Sequence, residues 1–291
     1  MNKLLLVLGM FLLSSCEKNI NFDLKQTSNL LVVDAQIENG KPPTVILTKS
    51  FSFFSQINPS LFDSLFVHNA EVYISNGVLT HRLKEYNYSL VPGYFAYTYS
   101  IDSSSLATAF VGALNTNYTL RIVSEGREYL SSTKIPALNT YPDSFYFRVA
   151  PQNPDTNKRV MMLRAFDPPG LGNNVRYFTK TNSEPFFPGG NSVFDDQVID
   201  GTSYEVQLPK GFDKNNPPKM DSNFFKRGDT VTLKFCNIDK ASYDFWSTWE
   251  FAFQSIGNPF SQPNKVVGNI SNGALGVFCG YAAWYGTRVA Q

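Results

Sequence analysis

The chain has 291 residues, of which 43% are hydrophobic and 17% charged, with a formal net charge of +1. This composition excludes wholesale disorder, and the near-neutral charge excludes both a basic nucleic-acid-binding stripe and polybasic docking to anionic lipid. The 25 Phe and 15 Tyr residues favour a β-rich fold, because aromatic side chains are enriched in strands.

The first 15 residues are predicted to be a secretory signal peptide. Lys3 gives a positive start, and the apolar run 4–13 is shorter than the roughly 20 residues needed to cross a bilayer. The run closes with Leu13-Ser14-Ser15-Cys16, which resembles the bacterial lipobox. The resemblance implies that Leu13, Ser14 and Ser15 direct processing and that Cys16 is lipidated. We therefore expect an outer-membrane lipid anchor, on either the periplasmic face or the cell surface.

Residues 16–29, which begin with the lipidated Cys16, are predicted to be a polar tether. Seven strand-like segments follow, separated by turn signals such as Asn39-Gly40. These segments are residues 30–37, 44–50, 70–75, 80–86, 94–99, 118–124 and 127–134. The pattern predicts an immunoglobulin-like β-sandwich over residues 30–135, although the Cys–Trp–Cys pattern of antibody domains is absent from the sequence.

A proline-containing stretch, residues 136–142, is the predicted linker to a second β-rich domain, residues 143–291. Strands are expected over the segments 143–150, 160–167, 174–181, 203–208, 229–235, 275–281 and 283–289. The segment 184–191 contains Pro188-Gly189-Gly190 and is predicted to be a loop. The fold class is therefore mainly β, with two domains in series.

One amphipathic helix is predicted at about residues 240–256. Asp239 is a suitable N-cap, and Gly257 is a suitable terminator. The packing face is predicted to hold Phe245, Trp246, Trp249, Ala252, Phe253 and Ile256. Phe251 lies opposite this stripe and is expected to be exposed.

Aromatic residues in the predicted loops and on this helix support two interpretations. They either cover the ends of the sheets or form a surface that contacts a glycan or another small ligand. The candidate ligand-contact residues are Phe51, Phe53, Phe54, Phe186, Phe187 and Phe251. Core covering is the more common use of aromatic side chains.

Cys236 and Cys279 are left once Cys16 carries lipid. An exported protein meets an oxidising compartment, so one alternative is a disulfide between them. The other alternative is two buried free thiols. Two cysteines without a nearby pair of histidines do not make a zinc site.

No catalytic or metal-binding motif is recognisable, so we expect no enzymatic activity, cofactor or metal. The sequence lacks G-x-S-x-G and the phosphate-binding Gly-rich loop, and His81 is expected to face solvent. Asp195, Asp196 and Asp200 cluster in one segment, and Asp167 lies in another loop. Both loops are predicted to be solvated turns, since their spacing does not match an EF-hand. A hydrolase using the three clustered aspartates is the weakest hypothesis.

Short matches to one family extend along the mature chain. They cover residues 30–34, 70–72, 93–94, 126–129, 133–136, 143–144, 227–229, 243–246 and 258–260, and the most specific is 269–278. Together they resemble DUF4249, a family of Bacteroidota lipoproteins. Cys236 and Cys279 depart from its pattern.

The resemblance implies an exported lipoprotein without catalytic residues, often encoded beside a TonB-dependent outer-membrane receptor. We therefore expect a non-enzymatic partner of such a transporter. A glycan- or ligand-binding module is the alternative. Asp63-Ser64-Leu65 also resembles the O-glycosylation acceptor of exported Bacteroidota proteins, which makes Ser64 a candidate modification site.

Overall fold

The computed structural model describes residues 29–51, 63–91, 93–216, 223–258, 261 and 264–291. These residues contain 15 strands and a single α-helix, and 52% of them lie in strands. The prediction of a mainly β, sandwich-like fold is confirmed. Within the described ranges, no helix is both long and apolar enough to cross a membrane.

The first seven strands follow the predicted order with small shifts at their ends, except that the fourth extends five residues beyond its predicted end at Tyr86. They are β1 Leu31–Glu38, β2 Thr44–Lys49, β3 Glu71–Ser75, β4 Thr80–Val91, β5 Tyr94–Ile101, β6 Thr116–Ser124 and β7 Arg127–Ile135. In β1, Leu31, Val33, Ala35 and Ile37 are buried while Asp34 and Gln36 face out. This period of two gives the sheet one apolar face.

Most of the remaining elements also lie close to their predicted positions. The exceptions are the strand at 187–194, which overlaps a predicted loop, and the two-residue strand at 225–226, which was not predicted. The remaining elements are β8 Pro142–Val149, β9 Lys158–Phe166, β10 Asn174–Thr181, β11 Phe187–Phe194, β12 Ser203–Leu208, β13 Phe225–Lys226, β14 Thr230–Ile238, α1 Lys240–Ser255 and β15 Leu275–Val289. The two closing strands predicted at 275–281 and 283–289 are one continuous strand.

One eleven-stranded sheet contains strands from both predicted domains, in the order β11-β10-β14-β15-β1-β2-β5-β4-β3-β6-β7. The N-terminal half of β15 pairs in parallel with β1, and its C-terminal half pairs antiparallel with β14. A smaller sheet places β9 between β8 and the strands β12 and β13. The division into 30–135 and 143–291 stays a prediction about folding units, but β15 belongs to the packing of both.

The parallel pairing depends on a glycine in β15. Gly276 has φ of +104°, and a Cβ atom there would lie 1.9 Å from the carbonyl oxygen of Val33. Glycine permits both this backbone conformation and the close approach of β1.

The predicted loop over residues 184–191 is wrong, because its second half belongs to strand β11. Pro188 is tolerated since β11 is an edge strand of the large sheet. Gly189 lies under the Tyr177 ring, where a Cβ would fall 1.9 Å from the hydroxyl oxygen. Pro188 and Gly189, which suggest a loop in the sequence, therefore belong to an edge strand that packs closely against the Tyr177 side chain.

Helix α1 confirms the predicted cap and most of the predicted packing face. The Asp239 side chain accepts a hydrogen bond from the Ser242 amide at 2.8 Å, and Gly257 follows the helix with φ of +83°. Phe251 is exposed as expected. Ile256 was expected on the packing face and is instead 77% exposed, because the helix ends before it.

Candidate functional site

The helix cavity is an open space of about 430 Å³ beneath α1, bordered by β1, β10 and β15. Its volume is within the range of about 300–1,000 Å³ that is usual for ligand sites. Six aromatic side chains line it, and they are Phe178, Phe187, Phe212, Trp246, Trp249 and Tyr281. Charged side chains from Asp34, Arg176, Asp213 and Lys214 reach the same space.

Arg176 is the central charged residue of the helix cavity. It is only 3% exposed, and its guanidinium carbon lies 3.4 Å from the centroid of the Trp246 ring. Its Nε donates to the Ser192 hydroxyl at 3.2 Å, and its Nη1 donates to the Tyr281 hydroxyl at 2.8 Å. Among the described residues, no carboxylate forms an ion pair with Arg176 within 4.0 Å. A buried guanidinium held by neutral groups and aromatic rings is suited to an anionic ligand.

Glu250 supplies the compensating negative charge from α1. Its carboxylate accepts from the Ser192 amide at 2.8 Å and from the Ser192 hydroxyl at 2.5 Å. The Lys214 ammonium lies 3.5 Å from the same carboxylate, and both side chains are almost fully buried. Ser192 thus connects Arg176 to Glu250, so the two buried cations share one buried anion.

Asp34 and Lys214 are titratable groups whose ionisation is disfavoured at the cavity. Asp34 is accessible to solvent within the cavity but is otherwise surrounded by protein, and this burial raises the pKa of its carboxyl against the opposing effect of Arg176. Burial lowers the pKa of Lys214, with the nearby Arg176 charge acting in the same direction and Glu250 opposing it. In both groups, burial disfavours the charged form.

The predicted ligand-contact aromatics are dispersed rather than gathered. Phe187 lines the helix cavity, whereas its neighbour Phe186 packs edge-on against Tyr285. Phe51 and Phe251 are exposed at separate places. Phe53 and Phe54 lie outside the described residues. Of the six, only Phe187 is shown to line the cavity.

Arg176 and Glu250 were not identified from the sequence, although the sequence context of both indicates burial. Arg176 occurs in a strand whose neighbours are almost all buried. Glu250 lies four residues after Trp246, which places it on the apolar stripe of the helix. A charge inside an apolar stripe indicates a buried polar network.

A second charged site, the acidic cluster, consists of Asp167, Asp196 and Asp200. One carboxylate oxygen from each residue lies within 4.8 Å of those of the other two. Asp167 ends the strand region of β9, while Asp196 and Asp200 follow β11, so the fold joins two loops that are separate in the sequence. The expectation of two unrelated solvated turns is wrong, since Asp167 and Asp196 are 1% and 2% exposed.

Backbone amides hold two members of the acidic cluster in place. Asp196 Oδ2 accepts from the amides of Gly172 and Asn173 at 2.8 and 2.7 Å, and Asp200 Oδ1 accepts from the Gly170 amide at 2.6 Å. Asp195 points elsewhere and accepts from the Tyr243 hydroxyl at 3.1 Å. The sequence cluster therefore divides, and Asp167 replaces Asp195.

Asp167 is the least satisfied member of the acidic cluster. Its Oδ1 accepts from the Thr140 hydroxyl at 3.2 Å, but its Oδ2 is buried and has no hydrogen-bond partner among the described residues. Burial raises the pKa of Asp167, and the charges of Asp196 and Asp200 act in the same direction. The side chains of Thr140 and Asn173 oppose this rise.

The two histidines lie apart from both sites. His81 was expected to face solvent, but it is 1% exposed because it occupies an inward position of β4. Its Nε2 accepts from the Asp102 amide at 3.0 Å, so Nδ1 carries the proton donated to the Thr108 hydroxyl. His68 is partly exposed and contacts Glu85 at 2.5 Å.

Cys236 and Cys279 are both free and buried, so the disulfide alternative does not hold in this structure. Cys236 is opposite Ala283 in the β14–β15 pair, four residues along the strand from Cys279. Four strand residues span roughly 13 Å, beyond the ~7 Å limit for the Cα atoms of a disulfide. Burial raises the pKa of Cys236 to about 12 and that of Cys279 to about 11, so both are weak nucleophiles.

The structure does not test the predicted glycosylation and lipidation sites. Ser64 is exposed in a 3₁₀ turn, Asp63–Leu65. The lipobox residues Leu13, Ser14, Ser15 and Cys16 lie outside the described residues, so lipidation stays a prediction.

Comparison with known proteins places the chain in a family defined without an assigned activity. Among curated proteins, none matches this sequence. A family model described as "Domain of unknown function (DUF4249)" matches residues 17–284, which is almost the entire chain. The protein therefore belongs to the DUF4249 family.

Proposed function

We propose that this protein is a lipid-anchored, non-enzymatic protein of the Bacteroidota outer membrane that acts as a partner of a TonB-dependent transporter. The lipobox-like sequence before Cys16 and the family membership support the address and the partner class. The raised pKa values of the buried thiols and the backbone amides bound to Asp196 and Asp200 argue against nucleophilic or hydrolytic roles for these residues.

The single observation that carries the proposal is the apolar ribbon, residues 84–91 and 94–98 of the β4–β5 hairpin. β3 pairs with β4 only as far as Leu83, and β2 pairs with β5 only at Tyr99. The hairpin continues beyond both as two strands. Its exposed side chains are Tyr88, Leu90, Val91 and Phe95. Two-stranded ribbons are marginally stable alone, and exposed apolar patches commonly mark protein contacts.

Affinity capture from solubilised outer membrane tests this proposal. The tagged wild-type protein should recover a TonB-dependent receptor, and Leu90→Asp should reduce the recovery at least tenfold because a charge would have to be buried in the contact. Val78→Asp is the matched control, since Val78 is 89% exposed in the neighbouring β3–β4 turn. Recovery of no receptor, or equal recovery by Leu90→Asp, would contradict the proposal.

The second candidate function is binding of a small acidic glycan in the helix cavity. It is favoured by Arg176, a buried cation without an ion-pair partner among the described residues, surrounded by flat aromatic rings. A uronic acid combines the two features that such a site recognises, a carboxylate for the guanidinium and an apolar sugar face for the rings.

Titration with galacturonate, followed by tryptophan fluorescence and calorimetry, tests the second candidate. Galactose, which lacks the carboxylate, should bind at least tenfold more weakly. Phe187→Ala should weaken galacturonate binding, whereas Phe186→Ala should not, because only Phe187 lines the cavity. Equal affinity for both sugars, or equal effects of both substitutions, would count against this function.

A further inference from the structure

The acidic cluster brings together three carboxylates that have no compensating cation in the part of the chain that the structure describes. Among the described residues, no Lys or Arg forms an ion pair with Asp167, Asp196 or Asp200. Asp167 and Asp196 are nevertheless almost fully buried. Buried carboxylates normally pair with a cation or coordinate a metal, since an unpaired buried charge is costly. The cluster therefore lacks the balance that Glu250 and Lys214 have in the helix cavity.

The unpartnered oxygen of Asp167 is a second and independent indication. Its Oδ2 is buried and accepts no hydrogen bond from the described residues. The Asn173 side-chain amide lies close enough to the Asp167 carboxyl to lower its pKa, but its amide nitrogen donates to the carbonyls of Pro168 and Gly170, both at 3.2 Å. More than nine-tenths of buried polar groups find a partner in native proteins, so this oxygen requires an explanation.

The spacing of the three carboxylates suits one metal ion. Oxygens bound to a single Ca²⁺ lie 2.3–2.6 Å from it, so two ligand oxygens are at most about 5 Å apart. The three carboxylate oxygens meet this condition, since all lie within 4.8 Å of one another. The amides of Gly170, Gly172 and Asn173 already fix Asp196 and Asp200, which leaves the carboxylates oriented before any ion arrives.

We propose that Asp167, Asp196 and Asp200 form a Ca²⁺ site that ties the β9–β10 loop to the β11–β12 loop. The donor set contains only oxygen atoms, which favours a hard cation over Zn²⁺ or Cu²⁺. Ca²⁺ is favoured over Mg²⁺ because irregular loops suit its flexible coordination, whereas Mg²⁺ demands near-octahedral geometry. Three carboxylates supply fewer than the six to eight oxygen ligands that Ca²⁺ takes, so the remaining positions are open to other oxygen ligands such as water.

Calorimetric titration and thermal unfolding of the purified full-length protein with Ca²⁺ test this site. We expect one Ca²⁺ per chain with Kd of about 10⁻⁴ M, in the range of extracellular calcium modules. At 10 mM Ca²⁺ the Tm should rise by about 5 °C relative to EDTA. Mg²⁺ at the same concentration should give less than half of that shift.

Conservative variants identify the ligands. Asp200→Asn should weaken Ca²⁺ binding at least tenfold and remove most of the Tm shift. It keeps a side-chain acceptor for the Gly170 amide, and its residue is exposed, so folding should be preserved. Asp195→Asn is the matched control, because Asp195 lies in the same segment but bonds Tyr243 and should leave binding unchanged.

Three outcomes would overturn the proposal. They are the absence of a saturable Ca²⁺ heat up to 10 mM, an equal response to Mg²⁺, and equal loss of binding in Asp195→Asn and Asp200→Asn. If Asp200→Asn unfolds, Asp167→Asn provides the same comparison, with circular dichroism as the check of folding.

Discussion

The helix cavity and the acidic cluster both bury charge, but they differ in how that charge is balanced. In the helix cavity, Glu250 balances Lys214 directly and is linked to Arg176 through Ser192. In the acidic cluster, three carboxylates face one another, and their partners among the described residues are backbone amides and one hydroxyl. The helix cavity therefore combines buried charges of both signs, whereas the acidic cluster contains carboxylates alone, with no Lys or Arg partner among the described residues.

Because of this difference, the stability of the two sites should respond oppositely to the removal of a charge. Removing a balanced charge exposes its partners to a low-dielectric environment without compensation. Removing one of several like charges relieves repulsion instead. Stability measurements can therefore distinguish a network whose charges are of both signs from a cluster of like charges.

The largest effect is expected for Glu250→Ala. The substitution leaves Lys214 and Arg176 without their shared anion and leaves the Ser192 amide without its acceptor. Breaking a buried pair in this way costs about 3–5 kcal/mol of unfolding free energy. Urea denaturation followed by circular dichroism measures the loss. Phe251→Ala, at the adjacent exposed position, should change stability by less than about 0.5 kcal/mol.

If Glu250→Ala lowers the free energy of unfolding by less than about 1 kcal/mol, the proposed charge balance in the helix cavity is wrong. It would mean that the cavity charges are solvated and that Lys214 and Arg176 do not depend on Glu250.

A smaller effect of opposite sign is expected for Asp200→Asn in EDTA at pH 7. Replacing the exposed carboxylate by an amide reduces repulsion within the acidic cluster and keeps an acceptor for the Gly170 amide. The free energy of unfolding should rise by about 0.5–1 kcal/mol, a magnitude set by Coulomb interaction at about 5 Å in a largely aqueous medium. Urea denaturation measures this gain.

With saturating Ca²⁺ the wild type should have a higher free energy of unfolding than Asp200→Asn, the reverse of their order in EDTA. Asp195→Asn should show neither the gain in EDTA nor the reversal. Destabilisation of Asp200→Asn in EDTA would instead indicate that the cluster is held together by internal hydrogen bonds.

The parts of the fold that follow local periodicity could be predicted from the sequence. β10 and β12 have the predicted limits, and the N-cap of α1 is Asp239 as expected. Each depends on residues within one element, where apolar spacing and capping chemistry act directly. The continuity of β15 was missed, because the prediction left out the small residue Ala282 and so divided one strand into two.

The sites could be predicted only in fragments, because both join residues distant in the chain. Phe187 was identified, but Arg176 and Glu250 become neighbours only when α1 packs on β10 and β11. Asp196 and Asp200 were identified, but Asp167 reaches them through the pairing of β10 with β11. Sequence spacing carries no information on such contacts, and a buried charge in an apolar stripe was the one available signal.

The smallest effect is expected at the two histidines. His68 has a carboxylate partner, Glu85, whereas His81 is hydrogen-bonded to a hydroxyl and a backbone amide. At His68, burial alone lowers the pKa, but the hydrogen bond and charge of Glu85 outweigh it and the net pKa lies above 6.5. At His81, burial is the dominant cause and lowers the pKa below 6.5, against the charge of Asp102. One histidine is therefore stabilised when protonated and the other when neutral.

The signs of the two pH dependences follow by linkage. The His68 contribution is fully present below pH 6.5 and is lost as the pH rises through its folded pKa. The His81 contribution is present above pH 6.5 and is lost as the pH falls through its folded pKa. His68→Gln should therefore cost more stability at pH 5.5 than at pH 8, and His81→Gln should cost less at pH 5.5.

Because His68 is partly exposed, the pH-dependent part of its contribution to the free energy of unfolding should be about a few tenths of a kcal/mol. Urea denaturation at both pH values measures the two slopes, and parallel pH profiles for the two variants would show that burial, not the Glu85 partner, governs both rings.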